Sequence, residues 1–175
     1  DFKQPGDAIY VLGGTWREMA GSEAATELGL KGGRVPHVDA SNAMLRYRAV
    51  NALMGQRAIS ACHDCSDGGL AVAIAECCFS SLHRDAVGAR LEIAGKDLSD
   101  EALLFGESPS RIVISFAPEN LERIRQIVGD CPFEVIGKVA NDTLDINIDG
   151  RKVISEYVVK LENSWESALE KLLGV

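Results

Sequence analysis

The stretch Ser60-Ala61-Cys62-His63-Asp64-Cys65-Ser66-Asp67-Gly68-Gly69-Leu70 gathers the reactive side-chain types of this sequence in one place. An apolar segment ends there, polar residues cluster, two glycines follow and an apolar helical pattern begins. Free backbone N–H groups and the positive end of a helix dipole converge at such a junction, and glycines let a ligand approach the backbone closely. A loop that cradles phosphate has this form. Ser66, Asp67, Gly68 and Gly69 are therefore the candidate nucleotide or phosphate contacts. Asp64 is the candidate metal ligand, because Mg²⁺ commonly takes one or two carboxylates together with phosphate oxygens. The plain alternative is a helix N-cap by Ser66 or Asp67, which contributes about 1 kcal/mol to stability.

A second segment, Leu103 to Arg111, places Gly106-Glu107-Ser108 between a helix and an apolar strand. Glu107 and Ser108 would project at a sheet edge, where a ligand's hydroxyl or amide can be read. The alternative is a helix C-cap at Gly106 followed by a solvated turn. Other chemistries find less support. Cys62 and Cys65 have C-x-x-C spacing, but a structural zinc site needs four ligands. The remaining candidates, Cys77 and Cys78, are adjacent in a helical stretch and point different ways. The order of residues is also wrong for c-type haem attachment. His63-Asp64 beside Ser66 resembles a triad by letters only, since neighbours on a loop rarely meet in triad geometry. The sequence has neither a P-loop nor a G-x-S-x-G elbow.

The elements that must position these residues follow from periodicity. Residues 7 to 12 read as a buried strand, 21 to 28 as a short helix, and Ala40 to Gly55 as a long helix capped by Asp39. Ala58 to Cys62 reads as a strand leading into the polar cluster. The helix that follows carries Leu70, Ala71, Ile74, Ala75 and Cys78 on one side. Ala86 to Ile93, Arg111 to Phe116, Phe133 to Val139 and Thr143 to Ile148 read as strands. Ser99 caps a short helix through Leu104, and Pro118 opens one through Val128. Asp149-Gly150 is a tight-hairpin signal leading to Lys152–Ile154. The last helix is expected over 163 to 173, with Trp165, Ala168, Leu169 and Leu172 on its buried stripe. Helices and strands interleave, so the expected fold is α+β, an α/β sandwich with a mixed β-sheet flanked by helices. No linker or repeat divides the chain, which is read as one domain over residues 1–175.

Composition narrows the partners. The 175 residues are 46% apolar and 25% charged, an ordinary globular balance. Acids outnumber bases 26 to 18, for a net charge of -8. Such a surface repels nucleic acid and anionic membranes unless a basic patch overrides it. The densest basic stretch, Arg46, Arg48 and Arg57, is too spread out to form one. No run is long and apolar enough for a transmembrane helix. Five cysteines, an odd number, suit a reducing cytoplasm better than a secreted disulfide framework.

Taken in order, His63-Asp64-x-Ser66-Asp67-Gly68-Gly69-Leu70, Ala75-Glu76 and Leu104-Phe105-Gly106-Glu107-Ser108-x-x-Arg111 carry a resemblance to a known family. Pro5-Gly6-Asp7, Gly21-Ser22-Glu23 and Pro36-x-Val38-Asp39 reinforce it upstream. The chain resembles the phosphoribosylformylglycinamidine (FGAM) synthases of purine biosynthesis. The similarity is to the last domain of the second half, which is related to the C-terminal part of aminoimidazole ribonucleotide (AIR) synthetase. The resemblance implies an ATP- and glutamine-dependent ligase that converts formylglycinamide ribonucleotide to the amidine. It implies Mg²⁺ and ATP or ADP as cofactors. It also implies the remaining domains of the synthase and a glutaminase domain or partner. The family's catalytic histidines and most ATP ligands lie in other domains, so no residue of this chain is expected to be catalytic. The chain, which begins at Asp1 without Met, is expected to be a C-terminal fragment inactive alone. By pseudo-symmetry with the first half, Asp64 corresponds to a metal ligand and Glu107-Ser108 to a substrate-contacting turn, here facing an auxiliary nucleotide site. Pro109 departs from the family by removing an N–H donor, and Cys65 is an unusual filler. The corresponding domain of AIR synthetase, selenophosphate synthetase or thiamine-phosphate kinase, and a non-catalytic packing domain, are the alternatives.

Overall fold

The computed structural model describes residues 1–81 and 83–174. In chain order its elements are strand β1 (Ala8–Leu12), helices α1 (Glu23–Glu27) and α2 (Ala40–Gly55), strand β2 (Ala61–Asp64) and helix α3 (Gly69–Cys78). Strand β3 (Gly88–Ile93), helix α4 (Asp100–Phe105) and strand β4 (Ile112–Phe116) follow, then helix α5 (Leu121–Val128). Strands β5 (Phe133–Ala140), β6 (Thr143–Ile148) and β7 (Arg151–Tyr157) and helices α6 (Val158–Glu166) and α7 (Ala168–Leu173) complete the chain.

The strands form one seven-stranded sheet in the order β2-β4-β1-β5-β3-β6-β7. Every pairing is antiparallel except β3 with β6, so the sheet is mixed. Alternation along the strands divides the core into two layers. On β1, Ile9 and Val11 join a cluster with Leu70, Ile74 and Cys77 of α3 and with Leu103 and Leu104 of α4. Tyr10 and Leu12 point to the opposite face, where Ala49 and Leu53 of α2 meet Ile124 and Val128 of α5. Strand β4 is divided in the same way, with Val113 on the α3 face and Ile112, Ile114 and Phe116 on the α2 face. A strand covered on both faces is apolar at nearly every position, which explains the runs at 8–12 and 112–116, the second interrupted only by the fully buried Ser115. The α+β sandwich expected from the sequence is the architecture observed.

The local chemistry holds at several ends. Asp39 accepts a hydrogen bond from the Asn42 N–H at 3.0 Å and caps α2 at the expected residue. Ser99 caps α4 through the Ala102 N–H. Asp149 (φ 48°) and Gly150 (φ 74°) both occupy the left-handed region that a type I′ hairpin requires.

Elsewhere the structure corrects the sequence. The strand expected at 58–62 begins only at Ala61, where pairing with Ser115 of β4 starts, and it runs on to Asp64. The helix expected from Pro118 opens as a 3₁₀ turn, Pro118–Asn120, before α5. The single C-terminal helix is two, broken at Ser167. Its apolar stripe is not buried: Trp165, Leu169 and Leu172 are 60%, 66% and 84% exposed. The periodicity is sufficient for helix but not for burial, and the residues of α7 are all exposed. Trp165 lies beside the Phe79 ring, with the ring centroids 5.8 Å apart.

Candidate functional site

The junction after β2 is built by glycine geometry. Gly68 (φ 76°) is the N-cap of α3 and has no side chain to make a cap of its own, so the expected cap by Ser66 or Asp67 is corrected. The reason is a long-range contact. The Glu107 carboxylate reaches across and accepts the Gly68 N–H at 2.9 Å, while the Ser66 carbonyl takes the Gly69 N–H at 3.0 Å. Local side-chain capping is thereby displaced. Gly69 (φ 68°) lies against the 104–106 backbone, where a Cβ would stand 2.6 Å from the Gly106 oxygen.

The same Glu107 oxygen also accepts the Glu23 N–H at 3.1 Å, at the start of α1. Glu107 thus pins the Gly-rich loop to α1. We expect Glu107→Ala to lower stability by about 1–2 kcal/mol through the two lost charge-assisted bonds. Glu107→Gln, which keeps an acceptor oxygen, should lose less than half of that; urea midpoints at constant m-value check both. Ser108 is fully buried and its hydroxyl accepts the Trp16 N–H at 3.0 Å. It does not project at the sheet edge. Within this chain it positions the 13–16 turn.

Arg111 is the residue that sequence reasoning undervalued. It is 1% exposed and spans the site from beneath. Its guanidinium donates to the Ser108 carbonyl at 3.3 Å, to the Thr15 hydroxyl at 2.8 Å and to the Gly106 carbonyl. Desolvation by burial lowers its pKa, opposed by the neighbouring Cys65 and Glu107. An arginine directly before a strand that is apolar but for Ser115 was the available signal, since such a residue folds inward only when carbonyls await it.

Asp64 ends β2 with its side chain 75% exposed. His63 donates from Nδ1 to the Asp64 carbonyl at 2.7 Å, and its Nε2 lies 3.5 Å from Glu76 Oε2. Among the described residues no three His, Cys, Asp or Glu side chains gather as a ready-made metal cluster. An open, singly placed carboxylate fits the mode in which Mg²⁺ keeps waters and takes its other ligands from phosphate. It does not fit a protein-enclosed cation.

All five cysteines are free. Burial pushes the Cys65 thiol up to about 11 and the Cys77 thiol up to about 12, and raises those of Cys78, Cys131 and Cys62. These thiols stay protonated at neutral pH and are poor nucleophiles. In the native protein at pH 8, a disulfide reagent should titrate at most Cys62 rapidly, the others following only on denaturation. Fast reaction of Cys65 would contradict the buried geometry.

The site is thus a strand-to-helix junction with two left-handed glycines and a helix start closed from a distance by Glu107, set on the edge of a helix-covered mixed sheet. That combination defines an α+β domain with a glycine-built strand-to-helix junction. The family model for the AIR synthase related protein, C-terminal domain, matches residues 4–148, and the chain belongs to that family. The chain is 35% identical over 175 residues to the phosphoribosylformylglycinamidine synthase subunit PurL of Alkaliphilus metalliredigens, covering 98% of this chain and 23% of that protein. It is 34% identical to the same subunit of Thermococcus sibiricus, over 99% and 24% of the two lengths. The chain therefore spans about a quarter of these curated relatives. Thermotoga maritima PurL complexed with FGAR shares the fold with a TM-score of 0.73 at 19% identity, over 91% of this chain and 28% of that one.

Proposed function

We propose that this chain is one domain, residues 1–175, of a phosphoribosylformylglycinamidine synthase. On this reading it is a C-terminal piece of a longer enzyme that uses ATP and glutamine-derived ammonia to convert formylglycinamide ribonucleotide to its amidine. The observation that carries the reading is the family match combined with near-full-length similarity to PurL subunits. The remaining synthase domains are then its obligatory partners, and a glutaminase feeds the assembly. A purine-synthesis role suits the cytoplasm, and no helix among the described residues is long and apolar enough to cross a membrane.

Within this reading the loop Ser66, Asp67, Gly68 and Gly69 receives the phosphates of ATP or ADP at the start of α3. Asp64 would hold Mg²⁺ against those phosphates, where the cation neutralises charge. Glu107 and Ser108 contribute chiefly by fixing the loop, Glu107 through Gly68 and Ser108 through Trp16. No step of the ligase reaction is assigned to a side chain of this domain.

Two measurements test the proposal. The chain alone should show no ammonia-dependent turnover with ATP and substrate, whereas the chain supplied to the rest of the synthase should restore it. Calorimetry should detect ADP binding only with Mg²⁺, and Asp64→Asn should abolish that dependence. Turnover by the chain alone, or a nucleotide response insensitive to Asp64, would overturn the respective part.

A further inference from the structure

On the other side of the 106–110 turn lies a cavity of about 230 Å³ that shares no lining residue with the Gly-rich loop. Trp16, Glu18, Arg34, His37, Asn42 and Arg46 contribute to its wall, with Pro109 and Ser110 at its floor. Glu18 is only 6% exposed. One of its oxygens accepts the His37 N–H at 3.3 Å, but Oε2 is buried with no hydrogen-bond partner. A buried carboxylate oxygen without a donor costs free energy, so an unpaired one on a residue that lines a cavity marks a missing donor. The Nε of Arg46 is likewise buried and unpaired, although the same guanidinium donates to the Ser110 hydroxyl.

These two groups line one cavity yet form no ion pair with each other among the described residues. The backbone holds them apart. Arg46 is seated on Gly13 (φ 95°), where a Cβ would stand 3.1 Å from its Nε. Ser110, which anchors it from the floor, occupies the left-handed region at φ 59°, a conformation that non-glycine residues adopt only where the surroundings enforce it. Glu18 is fixed from the other wall by the His37 backbone. The other carboxylate of the wall, Asp39, is already committed to Asn42 as the cap of α2. What remains is a pair of guanidinium groups with donors to spare, the exposed Arg34 and Arg46 with its unpaired Nε, together with one unpaired acceptor oxygen on Glu18.

We infer that this cavity is a second ligand site, for a small phosphate monoester that also carries a hydroxyl. The phosphate lies between Arg34 and Arg46, whose forked N–H donors match it. The hydroxyl donates to Glu18 Oε2. Neither half suffices: a bare anion leaves Glu18 unpaired and meets its negative charge, while a neutral polyol leaves Arg46 unpaired. The inference rests on the cavity alone and stands whichever way the nucleotide reading falls, because no residue is shared.

Trp16 in the wall makes binding observable. With Trp165→Phe removing the other tryptophan, Trp16 fluorescence can be titrated with glycerol 3-phosphate, inorganic phosphate and glycerol. Glycerol 3-phosphate should saturate in the millimolar range or below, with inorganic phosphate at least about tenfold weaker and glycerol silent. Arg34→Gln, a change at an exposed residue, and Arg46→Gln should each weaken glycerol 3-phosphate about tenfold or more. Glu18→Gln should remove the preference for glycerol 3-phosphate over inorganic phosphate. No saturation by glycerol 3-phosphate overturns the inference. So does saturation unaffected by Arg34→Gln, or equal affinity for both phosphates in the parent chain.

Discussion

Replacing Gly69 by alanine should lower the melting temperature by roughly 10 °C and abolish any Mg-nucleotide response. Three terms add. The residue sits at φ 68°, where an L side chain costs about 1–2 kcal/mol. A Cβ there would lie 2.6 Å from the Gly106 oxygen, 2.8 Å from the Phe105 carbonyl carbon and 3.0 Å from the Leu104 oxygen. All three are backbone atoms at the end of α4, so no side chain can swing aside. Moving α4 would drag Glu107 off Gly68 and so loosen the loop itself. We expect a total loss above about 3 kcal/mol, which for a domain of this size corresponds to roughly 6–12 °C. Gly55→Ala is the control. It ends α2 with nothing within 4 Å of the added carbon, and should melt within a few degrees of the parent. A Gly69→Ala protein as stable as Gly55→Ala would show that the 104–106 backbone is not packed on this loop.

The same residue shows where reading the sequence succeeds and where it stops. Helix α2 was legible to the residue because its signals are local: Asp39 caps it through Asn42, three positions away. The hairpin at Asp149-Gly150 was legible for the same reason. Ser66 and Asp67 have the right chemistry for a cap, yet neither serves, because the competing acceptor, Glu107, is 39 positions from Gly68. Sequence spacing shows that Ser66, Asp67, Gly68 and Gly69 form a turn before a helix. It does not show that a carboxylate from the far side of β3 and α4 closes it. The C-terminal stripe fails in the opposite sense. Periodicity correctly gives a helix with one apolar side, but only the three-dimensional arrangement tells what covers it, and here Leu169 and Leu172 stand in the open. Glu18 and Arg46 carried no local signal at all, since their significance lies in the bonds they fail to make.

The second large effect is expected at Arg111. Its guanidinium is a buried cation beneath the 106–111 turn, and its hydrogen-bond partners among the described residues are two carbonyls and a hydroxyl, none of them a carboxylate. Truncation therefore does more than remove a charge. Arg111→Met fills much of the volume but leaves the Gly106 and Ser108 carbonyls and Thr15 without donors, in a setting where each unpaired polar group costs about 1–3 kcal/mol. A total of about 3–5 kcal/mol is expected, comparable to breaking a buried charge network. Lysine is the decisive comparison. Its ammonium carries the same charge on a flexible stem but lacks the planar fork that reaches Gly106 on one arm and Thr15 on the other. If geometry is what matters, Arg111→Lys should recover less than half of the loss in urea midpoint, and hydrogen exchange at Trp16 and Gly68 should rise together in both variants. The coupling follows from connectivity: Arg111 holds Ser108, Ser108 receives Trp16, and the adjoining Glu107 receives Gly68. Full rescue by lysine would mean that charge alone is required, and the turn would then owe its shape to Gly106 and Pro109 instead of to the arginine. Faster exchange at Trp16 without a change at Gly68 would place the two halves of the turn under separate control, and the loop and the 13–16 segment could no longer be treated as one unit.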